Sequence, residues 1–168
     1  MNRLIYLLLL LMLCSCGYQF TGRGSAIPDG VKTLYLPLFI NQSARPGLEN
    51  SITDSVAEAL SRIQSLQLVS DRQTADTIAE GIILSYGTSA LSYDMNDTIR
   101  EYQAQMSIEF KLRRASDGKL LWQNRIKWQE PYLTNADKAI QDDLESAAIR
   151  EIELRIAEEL LFRLQSDF

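Results

Sequence analysis

The sequence contains no histidine. That removes the side chain that most often acts as general base and as metal ligand near neutral pH. Its two cysteines, Cys14 and Cys16, both fall near the amino terminus. Processing just before Cys16 leaves a single thiol, so neither a disulfide nor a zinc or redox site of paired thiolates is expected. Carboxylates are present, but nothing in their spacing gathers them. The expectation is therefore a protein that is not an enzyme, with no catalytic residue, no cofactor and no metal. Long basic runs and aromatic-studded basic stripes are also missing, which argues against a nucleic-acid partner. The longest apolar run, Leu4 to Leu13, is too short to cross a bilayer as a stable helix.

What surrounds that run is informative. Arg3 places positive charge ahead of it, and Leu13, Cys14, Ser15 and Cys16 close it. A positive start, a short apolar core and a small residue before the break describe a signal peptide, here residues 1–15. Leu at −3, Ser at −1 and Cys at +1 resemble the bacterial lipobox. The resemblance implies that Cys16 is acylated, palmitate included, and begins the mature chain. Gly17 stands where an Asp would mark retention in the inner membrane. Sorted lipoproteins of this pattern reside in the outer membrane of Gram-negative cells, lipid-anchored on its periplasmic side. Residues 16–30 then read as a lipidated tether, rich in Gly and ending in the turn signal Pro28-Asp29-Gly30.

Residues 31–168 read as a single α+β domain. Val31 to Phe39 alternates as a strand, with Leu34, Leu36 and Leu38 on one face, and Pro37 marks an edge or an end. Pro46 suits a helix start. Leu48, Ile52, Val56, Ala59, Leu60 and Ile63 then recur at helical spacing. Leu66 to Val69 is a short strand, expected to pair in parallel with the first through a right-handed crossover. Glu80 to Tyr93 is extended, with Ile82, Leu84 and Tyr86 on one face and Ile83, Ser85 and Gly87 on the other. Arg100 to Arg113 alternates cleanly, its apolar side running from Tyr102 to Leu112.

The next hairpin can be registered. A two-residue loop at Asp117-Gly118 sets Leu112 against Gln123 and puts one of them on the wrong face. A three-residue loop, Ser116 to Gly118, pairs Leu112 with Trp122 and Ile108 with Ile126, and puts Gly118 at the left-handed position. It also sets Glu109 opposite Arg125. Glu130 to Asn135, with Pro131, is expected as loop. A second helix runs from about Ala136 to Leu164, its stripe Ile140 to Leu164 stepping by four. Leu154, Leu161 and Phe162 fall off that stripe and point to a second contact.

The net charge of −5 is uneven. Acids lead bases by nine to four from Asp137 onward, whereas bases lead by seven to four from Arg100 to Glu130.

Several short motifs fall in one order: Cys16-Gly17-Tyr18-Gln19-Phe20, Leu36-Pro37-Leu38-Phe39, Pro46-Gly47-Leu48-Glu49, Ala75-Asp76, Arg100-Glu101-Tyr102, and Asp117-Gly118-Lys119 before Leu121-Trp122. In that order the chain resembles the lipopolysaccharide-assembly lipoprotein family, LptE. The resemblance implies an α+β fold with a four-stranded mixed sheet and two α-helices packed on one face, in the order β-α-β-β-β-α. It also implies an outer-membrane lipoprotein that plugs and supports assembly of the translocon barrel protein LptD, aids lipopolysaccharide delivery to the cell surface and binds lipopolysaccharide itself. Family contacts with that lipid lie in regions that hold Arg100 and Lys138 here, although the loop Asp94 to Thr98 carries no basic residue. Lys111 and Lys127 are the next candidates, on the wet face of the sheet. The alternative is an auxiliary lipoprotein of another envelope lipid-transport complex.

Overall fold

The computed structural model describes residues 31–167. The signal peptide, Cys16 and the tether lie outside the described residues. In chain order the elements are β1 (Thr33–Tyr35), β2 (Ile40–Asn41), α1 (Leu48–Ser61), β3 (Gln67–Val69), β4 (Thr77–Tyr93), β5 (Ile99–Arg114), β6 (Leu120–Leu133) and α2 (Lys138–Asp167), with a 3₁₀ turn at Arg72–Thr74. One mixed sheet runs β3-β1-β4-β5-β6, and β2 also pairs with β4. The fold is α+β with two helices, as the sequence implies, but the sheet has six strands and not four, in the order β-β-α-β-β-β-β-α rather than β-α-β-β-β-α.

The first strand accounts for part of that difference. Leu34 pairs with Thr77, an offset of 43, while Ile40 pairs with Ile82, an offset of 42. One extra residue therefore sits between β1 and β2, at the stretch containing Pro37, which cannot donate to a ladder. The expected alternation ends there. Leu38 turns outward, and Phe39 is buried instead. The Phe39 amide donates to Thr53 Oγ1 of α1 at 3.0 Å. Its ring lies against Gly81 so closely that a Cβ there would stand 2.3 Å from Phe39 Cζ.

β1 and β3 pair in parallel, as a strand–helix–strand unit should. The start of β1 is fixed by Asp76, whose Oδ2 accepts from the amides of Lys32 (3.0 Å) and Thr33 (2.9 Å) and from Thr33 Oγ1 (2.9 Å). Those amides hold its carboxyl below the ordinary carboxylate range.

β4 begins at Thr77, three residues before the expected Glu80. Its pairing with β5 shifts between Ile83 and Ser85, so Leu84 is a bulge. Ahead of the bulge Ala79, Gly81 and Ile83 face the helices. Beyond it Tyr86, paired with Met106, and Thr88, paired with Ala104, lie on the helix side. The faces read from sequence, with Ile82, Leu84 and Tyr86 together, are therefore exchanged at Leu84.

Below its turn the β5–β6 hairpin has the expected register, but at the turn the pairing shifts by one residue: Arg113 pairs with Leu120 and the Arg114 amide donates to Lys119 O at 2.9 Å, so the loop is residues 115–118, four and not three, and Leu121 is the extra residue. Leu112 pairs with Trp122, Ile108 with Ile126 and Glu109 with Arg125, and Gly118 has φ 71°. β6 continues through Pro131 to Leu133, where a loop was expected. As the last strand of the sheet it can hold a proline that an internal strand could not. α2 runs Lys138–Asp167. Its core stripe is buried from Ala148 to Leu164; of the three residues off that stripe, Leu161 packs against the core, whereas Leu154 and Phe162 are exposed.

Candidate functional site

Two ends of the sheet differ in charge and in cover. The first is built around the β5–β6 turn. Residues 109–127 hold six cations and two carboxylates. Lys111 pairs with Glu109 at 2.5 Å, Arg125 approaches the same carboxylate at 3.6 Å, and Arg113 pairs with Glu80 at 3.0 Å. Hydrogen bonding from Lys111 is the largest influence that holds the Glu109 carboxyl below its usual range. Lys127 is exposed on the same outer face and forms no ion pair among the described residues. The described chain starts at this end, because the Ala115 amide donates to Asp76 O at 2.9 Å beside Lys32.

The second end is the β4–β5 tip, together with the end of β6 and the first turns of α2. Thr134 ties these parts together, donating from its amide to Arg100 O at 3.0 Å and from Oγ1 to Ile99 O at 3.0 Å. A cleft of about 500 Å³ opens between them, lined by Thr98, Ile99, Tyr102, Thr134, Ala136 and Gln141 among others. Tyr102 stacks on Tyr132 at 5.7 Å between centroids. Segments 94–101 and 130–143 carry seven carboxylates against two cations, Arg100 and Lys138. Lys138 is already engaged by Asp142 one turn on. The tip turn itself is fixed. Asp94 Oδ1 accepts from the amides of Asn96 at 2.8 Å and Thr98 at 2.9 Å, which lowers its carboxyl's pKa.

Between the two ends a polar knot fastens α2 to the sheet. Tyr86 Oη donates to Glu145 Oε1 at 2.7 Å, and Arg45 pairs with the same oxygen. The Arg45 guanidinium also lies 5.5 Å from the Tyr86 ring centroid. Burial first, and Glu145 second, push the Tyr86 hydroxyl's pKa well up, so it stays a donor. A second internal contact joins the helices. Glu153, 2 % exposed, accepts from Ser51 Oγ of α1 at 2.5 Å. Burial raises its carboxyl's pKa.

The four lipid-contact candidates are therefore divided. Arg100 and Lys138 come together at the acidic tip, and Lys111 and Lys127 on the basic face. The tyrosines of the tip and the Arg45–Tyr86–Glu145 knot have no linear motif. The apolar alternation of β5 and β6 was the one signal that placed Tyr102 and Trp128 on the helix side.

A family model described as LptE, lipopolysaccharide-assembly, matches residues 31–164. The chain belongs to this family. No curated protein sequence matches it. Among solved structures, rare lipoprotein B from Shewanella oneidensis superposes with a TM-score of 0.56 at 21% identity, over 80% of this chain and 95% of that one. An uncharacterized lipoprotein B from Nitrosomonas europaea gives 0.55 at 16% identity, over 86% and 88%. The PelC dodecamer subunit from Paraburkholderia phytofirmans gives 0.55 at 14%, over 84% and 93%. At these identities the likeness is one of fold. LptE membership rests on the family match, and the neighbours, two of them described as lipoproteins, show that the same fold recurs.

Proposed function

We propose that this LptE-family chain is a lipoprotein of the outer membrane, anchored on the periplasmic side through acylated Cys16. In this reading it plugs and supports the assembly of the LptD barrel and aids delivery of lipopolysaccharide to the cell surface. The single observation that carries the reading is the family match across residues 31–164, essentially the whole described domain. The non-catalytic role in this reading rests on the same family match.

Lipopolysaccharide phosphates need unpaired cations, and the charge map ranks the candidates. Lys127, beside Arg125 on the basic outer face, is the preferred contact. Lys111 is partly spent on Glu109. Arg100 and Lys138 stand among seven carboxylates, which repel phosphate at distances inside a Debye length of about 8–10 Å.

Two measurements test the reading. Mass spectrometry of the mature chain should find a diacyl or triacyl Cys16 at its amino terminus, and an unlipidated terminus elsewhere contradicts the anchor. Affinity purification from outer membranes should recover the translocon barrel. Recovery of an inner-membrane transport complex instead supports the alternative of an auxiliary lipoprotein for another lipid transporter.

A further inference from the structure

We propose that the free edge of β6, from Gln123 to Gln129, accepts an added strand from a partner protein, a segment that alternates Asp or Glu with apolar residues. The sheet ends at β3 on one side and at β6 on the other. β3 is three residues long, whereas β6 is fourteen and has no neighbour beyond it among the described residues. The direction of its backbone groups follows from the ladder. The Thr134 amide donates to Arg100 O at 3.0 Å, and from there the β5–β6 register runs without a shift as far as Leu112 and Trp122. Bonded and non-bonded pairs alternate along an antiparallel ladder. Trp122, Asn124, Ile126, Trp128, Glu130 and Tyr132 therefore bond to β5. Gln123, Arg125, Lys127 and Gln129 turn their N–H and C=O groups away from it. Pro131 has the same outward parity, so its missing N–H costs the ladder nothing. Pro131 at one end and the extra residue Leu121 at the other bracket a stretch of four outward donors and four outward acceptors in unbroken alternation.

Charge selects the occupant. Gln123, Arg125, Lys127 and Gln129 are exposed on the outer face, while Trp122 and Ile126 are buried and Trp128 is half-buried on the helix side. A strand laid along this edge places its own side chains beside both sets. Carboxylates opposite Arg125 and Lys127, and apolar residues opposite Ile126 and Trp128, complement them. A second copy of this chain is disfavoured by the same rule. Pairing two β6 edges about a two-fold centred on this stretch sets Arg125 and Lys127 against like charges. Main-chain bonds supply the affinity of an added strand, and its alternate side chains supply the selection. A lipid phosphate needs only the Lys127 side chain, whereas an added strand needs the backbone as well. The two compete for Lys127, but the strand site does not rest on the lipid assignment.

The test is amide hydrogen exchange, resolved by residue with NMR, on the full mature chain in detergent. It is run with and without a nine-residue peptide that alternates glutamate and valine. In the chain alone the amides of Asn124, Ile126 and Trp128 should exchange slowly, and those of Gln123, Arg125, Lys127 and Gln129 fast. The peptide should slow the second group about tenfold or more. A peptide that alternates lysine and valine should not. Gln129→Pro removes one outward donor, as Pro131 already does, so the slow amides should stay slow while the effect of the peptide is lost. That change leaves the Lys127 side chain, and with it any lipid contact, in place. Arg125→Glu together with Lys127→Glu should abolish protection by the glutamate peptide and create it for the lysine peptide. The proposal is overturned by slow exchange at Gln123, Arg125, Lys127 and Gln129 in the chain alone, by no protection from the glutamate peptide, or by equal protection from both peptides. Protection that survives Gln129→Pro, or that appears without peptide as the chain is concentrated and so marks a second copy, overturns it as well.

Discussion

β4 is one strand with two environments. From Thr77 to Ile83 most of its side chains are buried beneath α1 and beside Phe39 and Phe110. From Ser85 to Tyr93 they are small, polar or exposed, and the helix cover gives way to the Arg45–Tyr86–Glu145 knot. The Leu84 bulge separates the two. The comparison teaches that one half of the sheet holds the fold and the other presents a surface. Stability and function can thus be damaged separately.

The sharpest way to break the comparison is in the buried half. Phe110→Ala should cost about 3–5 kcal/mol in chemical denaturation, because the ring fills the centre of the core and the site cannot fully collapse. A loss below about 1 kcal/mol would show that the core is not organised around it. Next come two glycines of the same strand. Gly81→Ala forces a Cβ into the Phe39 ring and should cost about 1–3 kcal/mol. Gly87→Ala meets nothing within 4 Å and should change stability by less than about 0.5 kcal/mol. Equal effects at the two positions would erase the distinction between the halves. Gly118→Val tests the turn that sets the hairpin register. At φ 71° a β-branched side chain is strained, and about 1–2 kcal/mol should be lost.

A smaller, pH-dependent effect belongs to Glu153. Its folded pKa is raised above the ordinary 4.5, chiefly by burial and against the opposing hydrogen bond from Ser51. The folded state therefore holds the proton more tightly than the unfolded chain. The stability this confers is complete below 4.5 and is lost as pH rises through the folded value. Glu153→Gln should flatten that slope and melt higher than the parent at pH 8, with the two converging at pH 4. A parent whose melting temperature rises steadily from pH 4 to pH 8 relative to the variant contradicts this. The smallest stability effect is at the tip. Met95→Glu should leave melting within about 0.5 kcal/mol of the parent, because the side chain is fully exposed.

The β5–β6 hairpin was legible in the sequence below its turn, though not the extra residue at Leu121, because two independent rules agreed. Side-chain parity excluded the two-residue loop, and the left-handed position required Gly118. β4 was not, because Ile82-Ile83-Leu84 is apolar on both faces and no residue announces a bulge. The break between β1 and β2 was only half legible: Pro37 marked an interruption, but the inward turn of Phe39 depends on space left by Gly81, 42 residues later. Pro131 was read as a loop because its strand's edge position is a tertiary fact. Arg100 and Lys138 could be named from the family resemblance, yet the carboxylates that surround them come from three elements and become a common field only when Thr134 joins those elements.

The division of the sheet is tested most directly by amide hydrogen exchange on the purified chain alone, compared with the same chain in complex with the proposed barrel partner. The account predicts slow exchange from Thr77 to Ile83 in both samples, and exchange from Ser85 to Thr98 that is fast in the chain alone and slowed in the complex. Exchange at the tip that is unchanged by the partner, with new protection confined to the already buried half, would contradict it.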